Sequence, residues 1–102
     1  MALSVTGLDH LAAGLFARCQ RDPDGNIAWQ RVGEEFLPLR AADFAETVRR
    51  RARGLNRLGV RRGDRVLLMA ANSVDWAILD FAILSIGAVT VPLYASLGAR
   101  EI

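Results

Sequence analysis

Residues able to do chemistry are few in this 102-residue chain, and their spacing limits what they can build. His10 stands beside Asp9, off the apolar stripe of its helix, with no second histidine in the sequence. No cysteine lies within ligand spacing of it, so the donor set of a zinc-type site is missing. The single cysteine, Cys19, falls on the apolar stripe and reads as a small core residue rather than a nucleophile. One thiol also excludes an internal disulfide framework. Ser4, Ser73, Ser85 and Ser96 stand in no Gly-x-Ser-x-Gly setting, the sharp turn that presents a hydrolase nucleophile. Trp76 lies on an almost wholly apolar helix and reads as packing rather than ligand stacking. All 13 cationic side chains are arginine. Without lysine there can be no Schiff base, phosphate-loop lysine or lysine general base. No catalytic, cofactor-binding or metal-binding residue is assigned.

The arginines are the strongest local bias, with eight between Arg49 and Arg65. One reading is a basic patch for CoA phosphates, nucleic acid or an anionic membrane face. The other is a solvated helix face, supported by Glu46 paired to Arg50 at i,i+4 and by cations near a helix C-terminus. A formal net charge of +2 does not demand a polyanion, and no aromatic residue interleaves with the arginines to stack on bases. The solvated face is favoured. No nucleic-acid partner is expected, and the sequence alone gives peripheral membrane contact no support.

The elements that would position these residues are legible. The length allows one domain at most, and 52% apolar with 24% charged residues excludes intrinsic disorder. The longest apolar run, Phe81–Ala95, is 15 residues broken by Ser85, Thr90 and Pro92, short of the roughly 20 of a membrane span. The N-terminus lacks the basic start of a signal peptide, so a cytoplasmic location is expected. Thr6 reads as the cap of a first helix bearing Leu8, Leu11, Leu15 and Cys19 on one face. Asp22-Pro-Asp-Gly-Asn26 stops it. Ile27–Val32 and Phe36–Leu39 read as a hairpin around Gly33-Glu-Glu35, with Pro38 on an edge. Ala41–Leu58 reads as a second helix with Phe44, Val48, Ala52, Leu55 and Leu58 on its apolar side, ended by Gly59 as a left-handed cap.

Arg65–Ala71 is an apolar run suited to a strand buried on both faces. Asn72 reads as the cap of a helix, Ser73–Gly87, that has no solvated face, and Val89–Tyr94 as the next strand. Strand, helix and strand make a βαβ crossover, expected to be right-handed. The first βα turn, Met69-Ala-Ala-Asn-Ser-Val74, has no glycine, so a phosphate cannot approach its backbone as in a dinucleotide site.

The second half of the chain carries a recognisable order of features. Leu55-Asn-Arg-Leu-Gly-Val60 ends a helix, Gly63-Asp-Arg-Val66 starts a strand, Asn72 precedes a helix, and Gly87-Ala-Val-Thr-Val-Pro92 forms a strand. This order resembles the N-terminal segment of AMP-forming acyl-CoA synthetases, in the adenylate-forming superfamily. Arg21-Asp-Pro-Asp24 and Leu39-Arg-Ala-Ala-Asp-Phe44 fit the same pattern more loosely. Val89-Thr-Val-Pro-Leu-Tyr-Ala-Ser96 leans toward the long-chain fatty acyl branch.

The resemblance implies an α/β fold, the N-terminal part of a larger doubly wound domain, with a small hairpin, three helices and one βαβ unit. Residues 1–102 would then be an N-terminal fragment of an AMP-binding domain. The implied activity uses ATP, Mg²⁺ and CoA to adenylate a carboxylic acid and pass the acyl group to a thiol. The phosphate loop, acidic Mg²⁺ ligand and catalytic lysine of the family have no counterpart in this sequence, so the fragment alone is expected to be inactive. Its expected partner is the remainder of the parent enzyme, with self-association through uncovered apolar surface. The alternative is a non-catalytic binding or interaction module that associates with another chain.

Overall fold

The computed structural model describes the backbone of residues 5–69 and 73–93, and side chains from Leu11 onward within those ranges. The described residues form helix α1 (Val5–Arg21), strands β1 (Asn26–Val32) and β2 (Glu35–Arg40), helix α2 (Ala41–Arg57), strand β3 (Arg65–Met69), helix α3 (Val74–Ser85) and strand β4 (Val89–Leu93). This is the expected α/β order. The helix α1 begins at Val5, which places Thr6 inside its first turn rather than at its cap.

β1 and β2 pair antiparallel through Val32↔Glu35, closing the hairpin on two residues, Gly33 and Glu34. Gly33 sits at φ +65°, the left-handed first position that a two-residue hairpin of matching twist requires. The chain passes from β2 directly into α2, and Arg40 caps nothing with its side chain. Instead the N–H groups of Ala41 and Ala42 donate to the carbonyls of Gly25 and Pro23, at 2.8 and 2.9 Å. The turn after α1 thus satisfies donors that a helix start leaves orphaned.

α3 is the hub. Its residues Ile78 and Ala82 pack with Phe44, Val48 and Ala52 of α2, while Ile83 packs with Leu68 of β3 and Ala88. Within the helix only Asp75 is exposed. A nearly all-apolar helix needs cover on every side, and the two other helices with two short sheets supply it. Ser73, rather than Asn72, is the cap, its Oγ accepting from the Trp76 N–H at 3.3 Å. Asn72, Ala70, Ala71 and Tyr94 lie outside the described residues.

α2 and α3 end in the same way. Gly59 N–H donates to Asn56 O and Val60 N–H to Leu55 O; Gly87 N–H donates to Leu84 O and Ala88 N–H to Ile83 O. These paired bonds are the Schellman closure, with the glycine left-handed, at φ +97° and +77°. In α2 the apolar contact that accompanies the closure falls to Leu55 and Val60, both packed on the same cluster. Leu58, expected on the buried stripe, is therefore 83% exposed. Helical periodicity stops one residue too early to bury it.

A Cβ on Gly87 would also meet Arg62 Cγ at 2.9 Å, whereas one on Gly59 would meet nothing. Gly59→Ala is expected to cost about 1–2 kcal/mol from backbone conformation alone. Gly87→Ala should cost more than that, because Arg62 must also move. Urea titrations of the two variants check the order.

β3 and β4 pair parallel, in register Arg65↔Val89 to Met69↔Leu93, as the crossover reading requires. The expectation that β3 is buried on both faces does not hold within this chain. Val66 and Leu68 turn toward α3, and Leu68 is 7% exposed. Leu67 and Met69 point the other way and are 62% and 56% exposed. Strand side chains alternate faces, and no described element lies on the second face.

Candidate functional site

The residues singled out for chemistry are mostly occupied by structure. Ser73 caps α3, and the Ser85 hydroxyl donates to Ala82 O at 2.8 Å. Trp76 packs against the Leu68–Ile83–Ala88 cluster. His10 lies in α1, but its side chain, like Ser4 and Ser96, falls outside the described residues. Among the described residues no three His, Cys, Asp or Glu side chains gather to hold a metal ion.

Cys19 is buried with Ala41 and Ala45, as its place on the stripe implies. Burial pushes its thiol pKa above the ordinary value, with Arg18 and Arg49 pulling partly back. The protonated thiol is thus favoured in the folded state. Its contribution to stability is complete below the unfolded chain's thiol pKa and is lost as pH rises through the folded value. Two results are expected. Iodoacetamide should modify the native chain far more slowly than the urea-unfolded chain at the same pH, and Cys19→Ala should reduce the alkaline decline in stability. Thiol titration and denaturant midpoints across pH check both.

The arginine face is partly neutralised, though not as expected. Glu46 pairs with Arg49 at 3.9 Å and Arg53 at 3.4 Å, not with Arg50. Arg49 also lies over the Phe16 ring, 4.9 Å from its centroid. The Arg61 guanidinium donates to Asn56 O and Val60 O, where a cation suits a helix C-terminus.

Three cavities stand out among the described residues. One of about 490 Å³ lies between α1 and the end of α3, lined by Phe16, Leu84, Ile86 and Arg62 among others. A second, of about 420 Å³, lies between the hairpin and the start of α3, beside Trp29, Phe36 and Asp75. A third, of about 180 Å³, adjoins Cys19 and Arg49. The third brings the Cys19 thiol, the Glu46 carboxylate and the Arg49 guanidinium to one lining, but burial favours the protonated thiol and Glu46 is paired with Arg49 and Arg53, so no reaction is assigned to it.

The most distinctive surface is instead apolar. Leu67, Met69 and Val89 are exposed on the outer face of the parallel pair. Val91 and Leu93 occupy the same face by register. The hairpin adds Trp29, Val32, Phe36 and Leu37. The apolar run of β3 marks both faces alike, so which of them lacks cover is not readable from the sequence.

Comparison with known proteins decides the family. Residues 16–102 match the family described as AMP-binding enzyme. The chain belongs to the AMP-binding enzyme family. Among this family's curated members, long-chain-fatty-acid–CoA ligase FadD15 of Mycobacterium bovis is 42% identical over 94 residues, covering 92% of this chain and 16% of the relative. The solved Mycobacterium tuberculosis fatty acyl CoA synthetase matches with TM-score 0.73 and 32% identity, over 88% of this chain and 18% of that one. IdnL1 superimposes with TM-score 0.80 at 23% identity, over 88% of this chain and 18% of its own, a likeness of fold alone. This chain thus spans 16% of the length of the FadD15 relative. Among the described residues no helix is long and apolar enough to cross a membrane.

Proposed function

We propose that this chain forms the structural N-terminal portion of an ATP-dependent, AMP-forming acyl-CoA synthetase acting on long-chain fatty acids. In that reaction a carboxylate oxygen attacks the α-phosphorus of ATP and pyrophosphate leaves. The CoA thiol then attacks the acyl-adenylate carbonyl and AMP leaves. Both steps need donors and cations aimed at developing negative charge. The residues present do not fit ATP or Mg²⁺: the sequence has no lysine, and no acidic cluster stands among the described residues. No step is assigned to them. Their role is to supply two strands and the helices that cover one side of them.

The observation that carries this reading is the 42% identity with FadD15 across nearly the whole chain. The uncovered outer face of β3 and β4 supports it, since exposed apolar area and open strand edges favour association. The partner is the remainder of a synthetase chain, which would bring the ATP, Mg²⁺ and CoA sites.

The chain alone is expected to give no carboxylate-dependent ATP–pyrophosphate exchange. Mixed with a separately expressed FadD15 truncated by the matching segment, it should restore acyl-CoA formation from a long-chain fatty acid. Exchange by the chain alone would refute its structural role. A monomer that neither binds nor complements the truncated enzyme would favour an independent interaction module.

A further inference from the structure

We propose that the outer edge of β1 is a docking site for an extended, basic peptide segment of another protein, which adds to the hairpin as a third strand. The register of the hairpin fixes which backbone groups are free. A two-residue turn makes Val32 and Glu35 the pair that exchanges both backbone hydrogen bonds. Antiparallel pairs alternate, so Gln30 and Leu37 bond to each other, whereas Trp29↔Pro38 and Arg31↔Phe36 do not. The N–H and C=O groups of Trp29 and Arg31 therefore point away from β2. The sheet ends at β1, and among the described residues no backbone group outside the hairpin bonds to either residue.

The two edges of the hairpin are not equivalent. On β2 the outward position at Pro38 has no N–H, so a strand added there would lose a bond. On β1 the outward groups are complete. They border a cavity of about 420 Å³, walled by Trp29, Gln30 and Arg31 with Phe36 on one side, and by the start of α3 at Ser73 and Asp75 on the other. Side chains alternate faces along a strand, so three consecutive residues share one wall when the strand presents its edge. The open edge of β1 thus lies inside a groove.

The walls define the chemistry of the occupant. Trp29 and Phe36, 57% and 63% exposed, offer apolar surface. Asp75 is exposed, and among the described residues no cation pairs with its carboxylate. The Arg31 guanidinium is held by its own hairpin, with Nε donating to Gly33 O at 3.1 Å and its carbon 6.0 Å from the Phe36 centroid. The unanswered charge in the groove is negative, and a lysine or arginine on the incoming strand answers it. Backbone bonds to the edge then supply affinity, and side chains against the walls supply selectivity. A second copy of this chain does not fit, because each β1 carries its own α3 wall and two such edges cannot enter one another's groove. A single strand can.

The test uses the 102-residue chain and a labelled, blocked peptide of about eight residues alternating valine and lysine, long enough for a strand. Saturable binding by fluorescence anisotropy is expected. Amide exchange followed by NMR should slow at Trp29 and Arg31 when the peptide is bound, while Gln30, already bonded within the hairpin, keeps its rate. N-methylating the central amides on both edges of the peptide should weaken binding about tenfold or more, since two hydrogen bonds are lost. Asp75→Asn should weaken binding about two- to fivefold, and a valine–glutamate peptide should bind more weakly than the lysine one. Arg31→Pro removes one outward N–H and should weaken binding, whereas Arg31→Gln keeps it and should not. Circular dichroism checks the fold of each variant; if Arg31→Pro unfolds, the N-methylated peptide decides on the unaltered chain. No binding, equal affinity of the N-methylated peptide, or slowed exchange in β3 or β4 instead of β1 would overturn the proposal. Protection of Trp29 and Arg31 in the concentrated chain without peptide would overturn it in favour of a second copy. Displacement of the peptide by truncated FadD15 would overturn it in favour of the remainder of a synthetase. No thioester is measured, so the synthetase reading stands or falls separately.

Discussion

Phe44→Ala is expected to lower the unfolding free energy by about 3–5 kcal/mol, among the largest effects a single side chain here can have. Phe44 is buried in the cluster that joins α2 to α3. Its ring meets that of Phe81 edge-on, with centroids 6.3 Å apart and planes at 74°, a geometry that adds to plain area burial. Truncation leaves a cavity lined by Val48, Ile78 and Ala82, on two helices that cannot close up independently. A domain stable by only about 5–15 kcal/mol would lose much of its margin. Arg53→Ala, on the opposite side of α2, should stay within about 0.5 kcal/mol, since its ion pair with Glu46 is exposed. Urea titrations measure both, and a Phe44/Phe81 double-mutant cycle isolates the ring contact. Equal effects of Phe44→Ala and Arg53→Ala would mean that α2 is wrongly faced.

The second large effect separates adjacent residues of one strand. Leu68→Ala should cost about 2–5 kcal/mol, because Leu68 is packed with Ile83 and Ala88. Leu67→Ala should be nearly neutral for stability in the isolated chain, because Leu67 is exposed. The same Leu67→Ala change should weaken association of the chain with itself or with a truncated synthetase. Denaturant titration and sedimentation at several concentrations read the two quantities apart. A large stability loss from Leu67→Ala would mean that the outer face of β3 is already covered.

Much of the local structure could be read without coordinates. The stop at Asp22–Asn26, the hairpin around Gly33, the span of α2 and the β3–α3–β4 crossover all follow from signals within a few residues of where they act. Such signals are steric or periodic: proline lacks a donor, glycine tolerates positive φ, and apolar spacing separates helix from strand. Where a local signal had competitors, the reading slipped. Ser73 and Asn72 are both good caps, and the backbone path made Ser73 the acceptor for Trp76 N–H. Glu46 could reach Arg50 or its neighbours, and geometry gave it Arg49 and Arg53. Leu58 obeyed the helical period but not the closure that ended the helix.

The sequence by itself determined the order of elements, the family pattern from Leu55 to Pro92, and the absence of lysine on which the expectation of an inactive chain rests. It also concentrated the arginines between Arg49 and Arg65. Only the tertiary structure decided which apolar surfaces are covered. A strand's pattern states that both faces are apolar, but burial depends on what else is packed there. Here α3 covers one face of β3 and β4 and leaves Leu67 and Met69 open on the other. Likewise only packing and hydrogen bonding separated arginines engaged within the fold from those left for solvent, because pairing depends on distances that spacing along a helix does not fix.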